Sequence, residues 1–376
     1  MGKIESRHSG EHDYTYVDSR DGLKRLLEQA GGEDCERCAI DTEADSLHCY
    51  EEKLCLIQFA AAGHFAVIDP LACDDLEPLV DFLDSTEVWL HGADFDMRML
   101  RRTFDRIPSV VYDTQTAARL LGARKFGLVN LVEDHFGVVL PKGSQKADWG
   151  RRPLSRKMID YAVNDVRYLL PLAEMFTESL KQIGRWEWFL QSCSAARAAA
   201  AVRREKDQDM IWRITGWGKL ERKGMAYLKA LWFWRDGEAA RRDRPHFKII
   251  GNDRLLEFAG DLQQGKRPAL PARFPEHVVS RFNKAIESIS QLPESEYPKK
   301  IKRTRGRRDS DADQRFELLK AERDKVASKL DLDATLIGSR ATLERLAAQP
   351  ESINDLLLAW QQELLQAAFS RFAESE

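Results

Sequence analysis

The chain has 376 residues, more than one ordinary hydrophobic core serves, so two or three domains are expected. With 43% hydrophobic and 32% charged residues it is excluded from the disordered and low-complexity classes. Lys+Arg 58 against Asp+Glu 61 gives a formal net charge of -3, so any anionic partner must be held by local basic patches or by metal rather than by the global field.

The start, Met1 to Tyr16, is polar and carries no apolar stretch flanked by basic residues, and no long apolar run follows. Neither a secretory signal nor a membrane span is expected. That places the chain in the cytoplasm, away from membranes, with its Cys 6 reduced. Cys35-x-x-Cys38 has no second pair at ligand spacing, which speaks against a zinc site.

Tyr14 to Val17 reads as a short strand, and Asp18 or Ser19 can cap a helix running to about Ala30. Ala39-Ile40-Asp41-Thr42-Glu43 reads as a central strand, in which Asp41 and Glu43 share one face and Thr42 points to the other. Leu54–Phe59 and His64–Ile68, separated by Ala61-Ala62-Gly63, read as a hairpin, so these three strands form an antiparallel meander. A helix from Asp74 to Leu83, a strand at Val88–Leu90 and a helix from Ala93 then alternate, which implies parallel strands, crossovers and an α/β fold with a mixed sheet. Asp113 to Leu121, Leu128 to Phe136 and one long stretch from Pro153 to about Ile183 are expected to be helical.

Ala195 to Asp209 is Ala-rich and then charged, which suits a helical connector. Every periodic segment beyond it is helical: Leu220–Arg241, Asp253–Gln263, Pro275–Ser290, Gln314–Leu330, Ala341–Ala348 and Ile353–Phe372. Pro293 to Asp313 carries Lys299, Lys300, Lys302, Arg303, Arg305, Arg307 and Arg308, and reads as a linker whose second role is nucleic-acid contact. The helical blocks on either side of it repeat faintly. Leu228-Lys229-Ala230, Arg235-Asp236 and Ala239 echo Leu319-Lys320-Ala321, Arg323-Asp324 and Ala327, and the spacing from Arg235 to Ala259 equals that from Arg323 to Ala347.

Two carboxylates on one patch of apolar strand are costly unless protonated or met by a cation, so Asp41 and Glu43 point to a divalent metal. Asp-x-Glu is a common tripeptide and alone marks nothing. Asp96, in the first turn of a helix after a strand, and Tyr161-x-x-x-Asp165, one helical turn apart, complete a set of four carboxylates and one phenol. Such hard oxygen ligands suit Mg²⁺ or Mn²⁺, and two ions about 3.5–4 Å apart serve in-line displacement at a phosphodiester.

Ile40-Asp41-Thr42-Glu43, Leu54-Cys55-Leu56-Ile57-Gln58, His91-Gly92-Ala93-Asp94-Phe95-Asp96, Asp148-Trp149-x-x-Arg152-Pro153-Leu154 and Tyr161-Ala162-x-x-Asp165 together resemble the ribonuclease D family of DEDD exonucleases, in its tyrosine subtype. The histidine subtype would place His where this chain has Asp160. The resemblance covers roughly Tyr14 to Phe189 and implies a ribonuclease H-like domain that removes nucleotides from a 3′ end as 5′-monophosphates. It further implies that Asp41, Glu43 and Asp165 hold the metal ion that activates water, that Asp41, with Asp96 acting through waters, holds a second near the leaving oxygen, and that Tyr161 orients the nucleophile. The helical blocks resemble the helicase-and-RNase-D C-terminal (HRDC) domain, through Leu228 to Ala240 with Trp232, Trp234 and Arg235, then Pro245, Asn252-Asp253 and Leu255-Leu256.

The implied organisation is an exonuclease domain at 1–194, a connector at 195–209, HRDC domain 1 at 210–292, a basic linker at 293–313 and an HRDC-like domain 2 at 314–376. RNA with a 3′ end, precursor tRNA above all, is the expected substrate, with single-stranded DNA as an alternative and a catalytically inactive nucleic-acid scaffold as another. No obligate protein partner is evident. Arg235, Lys299, Lys300, Lys302 and Arg303 are the expected nucleic-acid contacts, and at least one of Trp232 and Trp234 should pack in a core. Cutting the chain after about Ala198 is expected to spare hydrolysis of short oligonucleotides. One departure concerns Ala44-Asp45-Ser46-Leu47-His48-Cys49, where many ribonuclease D sequences carry an aromatic residue directly after the Glu.

Overall fold

A computed structural model describes residues 14–141, 143–203, 207–300 and 310–373. Its strands are β1 (Thr15–Val17), β2 (Arg37–Ala44), β3 (Leu54–Ala61), β4 (His64–Ile68), β5 (Glu87–Leu90) and β6 (Val110–Asp113). They form one sheet in the order β1-β4-β3-β2-β5-β6. The meander β2-β3-β4 is antiparallel, while β1 joins β4, β5 joins β2 and β6 joins β5, each in parallel. Every residue of β3 is buried, as a strand covered on both faces requires.

Helices α1 (Arg20–Gln29), α2 (Glu77–Ser85) and α3 (Asp94–Phe104) share a core with Cys38, Ile40, Ile57 and Phe59 on one face of the sheet. Helices α4 (Thr114–Leu120), α5 (Leu128–Phe136), α6 (Arg156–Arg167), α7 (Leu169–Gln182) and α8 (Trp186–Ala201) follow. Of these α6 covers β3 and β4 from the opposite face, where Ala162 and Val163 pack with Leu56 and Val67. The single helix expected from Pro153 to Ile183 is two helices. Pro171 cannot donate to the carbonyl of Arg167, so the helical ladder is interrupted there and restarts around Tyr168. The first of them opens at Ser155, whose hydroxyl accepts from the Met158 N–H, rather than at Pro153. The Ala-rich stretch continues α8 to Ala201, with Cys193 and Ala200 buried.

The chain divides into two compact units, and the division does not follow the order of the sequence. One unit comprises the sheet with α1–α8 and also α13 (Ser310–Leu330), α14 (Ala334–Ile337), α15 (Arg340–Ala348), α16 (Ile353–Leu356) and α17 (Ala359–Ala373). Leu319, Ile337, Leu343, Leu346, Trp360 and Leu365 merge with Leu131, Leu172, Phe176 and Phe189 in a single core. Trp360 stacks on Trp188 with ring centroids 5.0 Å apart, and Arg185 donates to the carbonyls of both Leu120 (2.6 Å) and Leu330 (2.8 Å).

The other unit consists of α9 (Arg222–Arg241), α10 (His246–Ile249), α11 (Asn252–Gln263) and α12 (Glu276–Ser290), together with the loop Asp45–Lys53 that joins β2 to β3. Helix α9 is surrounded, and both Trp232 and Trp234 are buried. Tyr50 ties the loop to this unit: its hydroxyl donates to Asp236 (2.8 Å) and its N–H to Asp243 (3.0 Å). Buried Glu238 is bonded by Arg281, the charge compensation that burying a carboxylate demands. No helix of the described residues is long and apolar enough to cross a membrane.

Candidate active site

The site forms where the central strand outruns its neighbour. Pairing of β2 with β5 stops at Ala39↔Trp89, whereas pairing with β3 continues through Asp41↔Gln58 and Glu43↔Leu56. One edge of β2 is therefore open at Asp41, and the chain leaving β5 turns there into α3. Gly92 makes that turn at φ 73°, a conformation that favours glycine, and its N–H is held by Asp113 Oδ1 at 2.8 Å.

Alternation along β2 sends Cys38, Ile40 and Thr42 towards α3 and Asp41 and Glu43 towards α6. Helix α6 presents Tyr161 and Asp165 one turn apart. Asp41, Glu43 and Asp165 each offer a carboxylate oxygen, and these oxygens all lie within 4.8 Å of one another. Among the described residues this is the one such group of potential ligands.

Asp96 stands apart from the trio. It is buried in the first turn of α3, and its Oδ1 accepts from the Thr42 hydroxyl at 2.5 Å. Thr42, assigned only to the other face from the sequence, is thus the residue that anchors Asp96 at the open edge. The Asp96 charge still acts on both Asp41 and Glu43.

Burial raises the proton affinity of every acid here, and mutual repulsion adds to it. Asp41 is held well above the usual carboxylate range by burial first and then by Asp96, Asp165 and Glu43. Glu43 is pushed up to about 9 by burial, then by Asp165 and Asp96. Asp165 rises to about 7 through burial, opposed by a hydrogen bond with Tyr161, and Asp96 to about 6 through burial, opposed by its bond from Thr42. The Tyr161 hydroxyl is driven upward by burial and by the Asp165 and Glu43 charges, so it keeps its proton near neutral pH. No cation among the described residues figures in the shifts of Asp41, Glu43 or Asp165. An all-oxygen, anionic, desolvated donor set fits a hard divalent cation.

The segment before α6 sets Tyr161. Trp149, 1% exposed, packs against the Tyr161 ring at 6.1 Å. Arg152 grips Asp69 through Nε and Nη2, both at 2.6 Å, and donates to the carbonyls of Cys55 (2.8 Å) and Trp149 (2.7 Å). Tyr16 completes the cluster with a bond to Asp69. Arg152 and Asp69 lie far apart in the chain, so no local spacing announces their pairing; only the Arg152-Pro153 motif hinted that this segment matters.

The expected nucleic-acid contacts fare differently. Arg235 is 3% exposed, with Nη1 bonded to Ile250 O (3.1 Å) and Asn252 Oδ1 (2.8 Å), so it fastens α9 to the start of α11 rather than facing a polyanion. Lys299 and Lys300 are exposed, whereas Lys302 and Arg303 lie outside the described residues.

Comparison with known proteins agrees with this geometry. A family model described as 3′-5′ exonuclease matches residues 14–181. A ribonuclease D of Gluconacetobacter diazotrophicus is 31% identical over 332 residues, 86% of this chain and 84% of the relative. A ribonuclease D of Sphingobium indicum is 32% identical over 273 residues, 70% of each chain. The crystal structure of Escherichia coli RNase D, described as an exoribonuclease involved in structured RNA processing, superposes with a TM-score of 0.73 at 25% identity, covering 96% of this chain and 99% of that one. A Bifidobacterium adolescentis protein shares the fold, with a TM-score of 0.80 at 22% identity. The carboxylate trio at the open edge of β2 and these likenesses converge: the chain belongs to the ribonuclease D family of 3′-5′ exoribonucleases.

Proposed function

We propose that this exoribonuclease trims the 3′ ends of structured RNA, precursor tRNA among them, with two divalent ions, Mg²⁺ or Mn²⁺, held by its carboxylates. The observation that carries the reading is the approach of carboxylate oxygens of Asp41, Glu43 and Asp165 to within 4.8 Å of one another, half-buried, with no protein cation among the described residues figuring in their shifts. Asp41, Glu43 and Asp165 would hold one ion, and Asp41, with Asp96 acting through waters, the other. Divalent ions in such a cage lower the pKa of water and neutralise charge developing on a phosphodiester. Tyr161, protonated and set by Trp149, orients the attacking water by hydrogen bonding, while Thr42 keeps Asp96 turned to the edge of β2. Without a titrating histidine in these roles, the chain's own contribution is positioning and charge, which phosphoryl transfer chiefly needs.

The processing of structured RNA ascribed to the Escherichia coli relative supports the choice of substrate. The test incubates 3′-extended tRNA and single-stranded DNA with the full chain and with Asp41→Asn, with and without EDTA, and follows release of mononucleotides. Metal-dependent release from the tRNA, lost in Asp41→Asn, is expected. Release that survives EDTA or Asp41→Asn would overturn the metal reading, and equal rates on DNA would overturn the RNA assignment.

A further inference from the structure

One polar side chain of the motif Leu54-Cys55-Leu56-Ile57-Gln58 takes no part in the carboxylate cage: that of Gln58. It lies within β3, between the buried apolar residues Ile57 and Phe59, and is 0% exposed. Neither its Oε1 nor its Nε2 has a hydrogen-bond partner among the described residues, and no other buried side chain among them leaves both a donor and an acceptor unmet. The several unmet indole N–H groups of the chain ride on large apolar rings that favour burial. A carboxamide has little apolar area to offset its desolvation, so a glutamine at this depth is a cost that packing does not explain.

Strand register places this amide. Gln58 pairs with Asp41 of β2 on one side and with Val67 of β4 on the other. Side chains directly opposite on antiparallel strands share a face, with Cβ atoms about 4.5–5.5 Å apart. Gln58 therefore stands on the face where Val67 packs with Ala162 and Val163 of α6, and where Asp41 meets Glu43 and Asp165. Glu43 pairs with Leu56, which offers no donor, so of the two β3 side chains in register with the cage only Gln58 can hydrogen-bond. A carboxylate that ligates a cation keeps lone pairs free, and a donor on one of them fixes its orientation. We propose that Gln58 is a positioning residue of the metal cage, its Nε2 donating to the Asp41 carboxylate when a divalent cation is bound and holding that carboxylate in its liganding orientation. The inference rests on the metal reading given above. Without a cation the same amide only burdens the fold.

Gln58→Met in the full chain keeps the length of the side chain and removes both polar atoms. Without metal the variant should melt at or above the wild-type temperature, because an unmet buried amide is gone. Its dissociation constant for Mg²⁺, measured by calorimetric titration, should nonetheless rise about tenfold or more, as loss of a partner that orients a ligand does. The Mg²⁺ concentration that half-saturates mononucleotide release should rise in step. A metal-free variant that melts well below wild type would mark the amide as structural and overturn the proposal, as would a Mg²⁺ dissociation constant equal to that of wild type. Crystals of the wild-type chain grown with Mg²⁺ give an independent measure: Gln58 Nε2 should lie within hydrogen-bonding distance of an Asp41 carboxylate oxygen, and an Nε2 with no such bond would overturn it. Wild-type protein that binds no Mg²⁺ would instead overturn the metal reading itself, and the role of Gln58 with it.

Discussion

In the helical block α9–α12, Arg235 donates to the carbonyl of Ile250; in the block α13–α17, Arg323 donates to the carbonyl of Gly338, the same number of residues further on. Leu231, Ala239, Ile249, Leu255 and Ala259 in the first block find buried counterparts at one constant offset in Leu319, Ala327, Ile337, Leu343 and Ala347 of the second. The two blocks are therefore built on one plan. The echo of Leu228-Lys229-Ala230 in Leu319-Lys320-Ala321 is one helical turn out of that register, because Leu231 is the true counterpart of Leu319. Yet the blocks are used differently. The first closes a core of its own, with Phe258, Phe282 and two tryptophans, while the second shares a core with the nuclease sheet and its helices. A common plan fixes which residues are buried, and the residues outside that plan decide against what.

The largest effect should come from removing the second block. A chain ending before Ser310 strips Leu319, Ile337, Leu346 and Trp360 from a core that includes Leu172 and Phe189 of the nuclease. Such a chain should lose cooperative unfolding of the nuclease unit in calorimetry and, with it, hydrolysis even of a trinucleotide; a truncated protein as stable and active as the full chain would break the comparison. The sequence led to the opposite expectation for a cut near Ala198, because the block's position beyond a basic linker suggested an appended module. Nothing local in Leu319 or Trp360 reveals that Leu319 shares a core with Phe189 or that Trp360 stacks on Trp188.

Next in size are single core deletions. Trp360→Ala should cost about 3–5 kcal/mol in the melting of the nuclease unit and Trp234→Ala about as much in the helical unit, each shifting its own transition. Trinucleotide hydrolysis should survive Trp234→Ala at temperatures below the new transition and fall with Trp360→Ala. One shared transition moving equally in both variants would erase the distinction between the units.

Smaller again are the arginines that tie helices through carbonyls. Arg185→Ala orphans Leu120 O and Leu330 O, for about 1–3 kcal/mol lost from the nuclease unit. Arg235→Met should destabilise the helical unit by a similar amount, about 1–3 kcal/mol. RNA affinity measured well below that transition should be unchanged, since Arg235 is interior.

What was legible in the sequence follows from the range of the interactions. The alternation in Ala39–Glu43, the hairpin at Ala61-Ala62-Gly63 and the four-residue step from Tyr161 to Asp165 are local signals, and each marks an element that is present. The carboxylate trio was legible because alternation alone puts Asp41 and Glu43 on one face. The place of Asp96 was not, since it depends on where β5 stops beside β2 and on a hydroxyl, that of Thr42, facing away from the trio. The burial of Arg235 was hidden for the same reason: its acceptors lie at the start of another helix.

The central claim is that the buried carboxylates of the nuclease unit are built for a divalent cation, and the melting of the full chain against pH, with and without Mg²⁺, tests it most directly. Glu43 is raised from 4.5 to about 9 in the folded state, so the stability it contributes is complete below the lower value and is lost as pH climbs towards the upper one. Asp41, Asp96 and Asp165 are shifted in the same direction. Metal-free protein should therefore lose melting temperature in its nuclease transition as pH rises from about 5 to 9. Mg²⁺ should restore it, increasingly so at higher pH as protons leave the ligands, with no change in the helical transition and little response in Asp41→Asn. A nuclease transition indifferent to Mg²⁺ across that range, or equally responsive in Asp41→Asn, would contradict the claim.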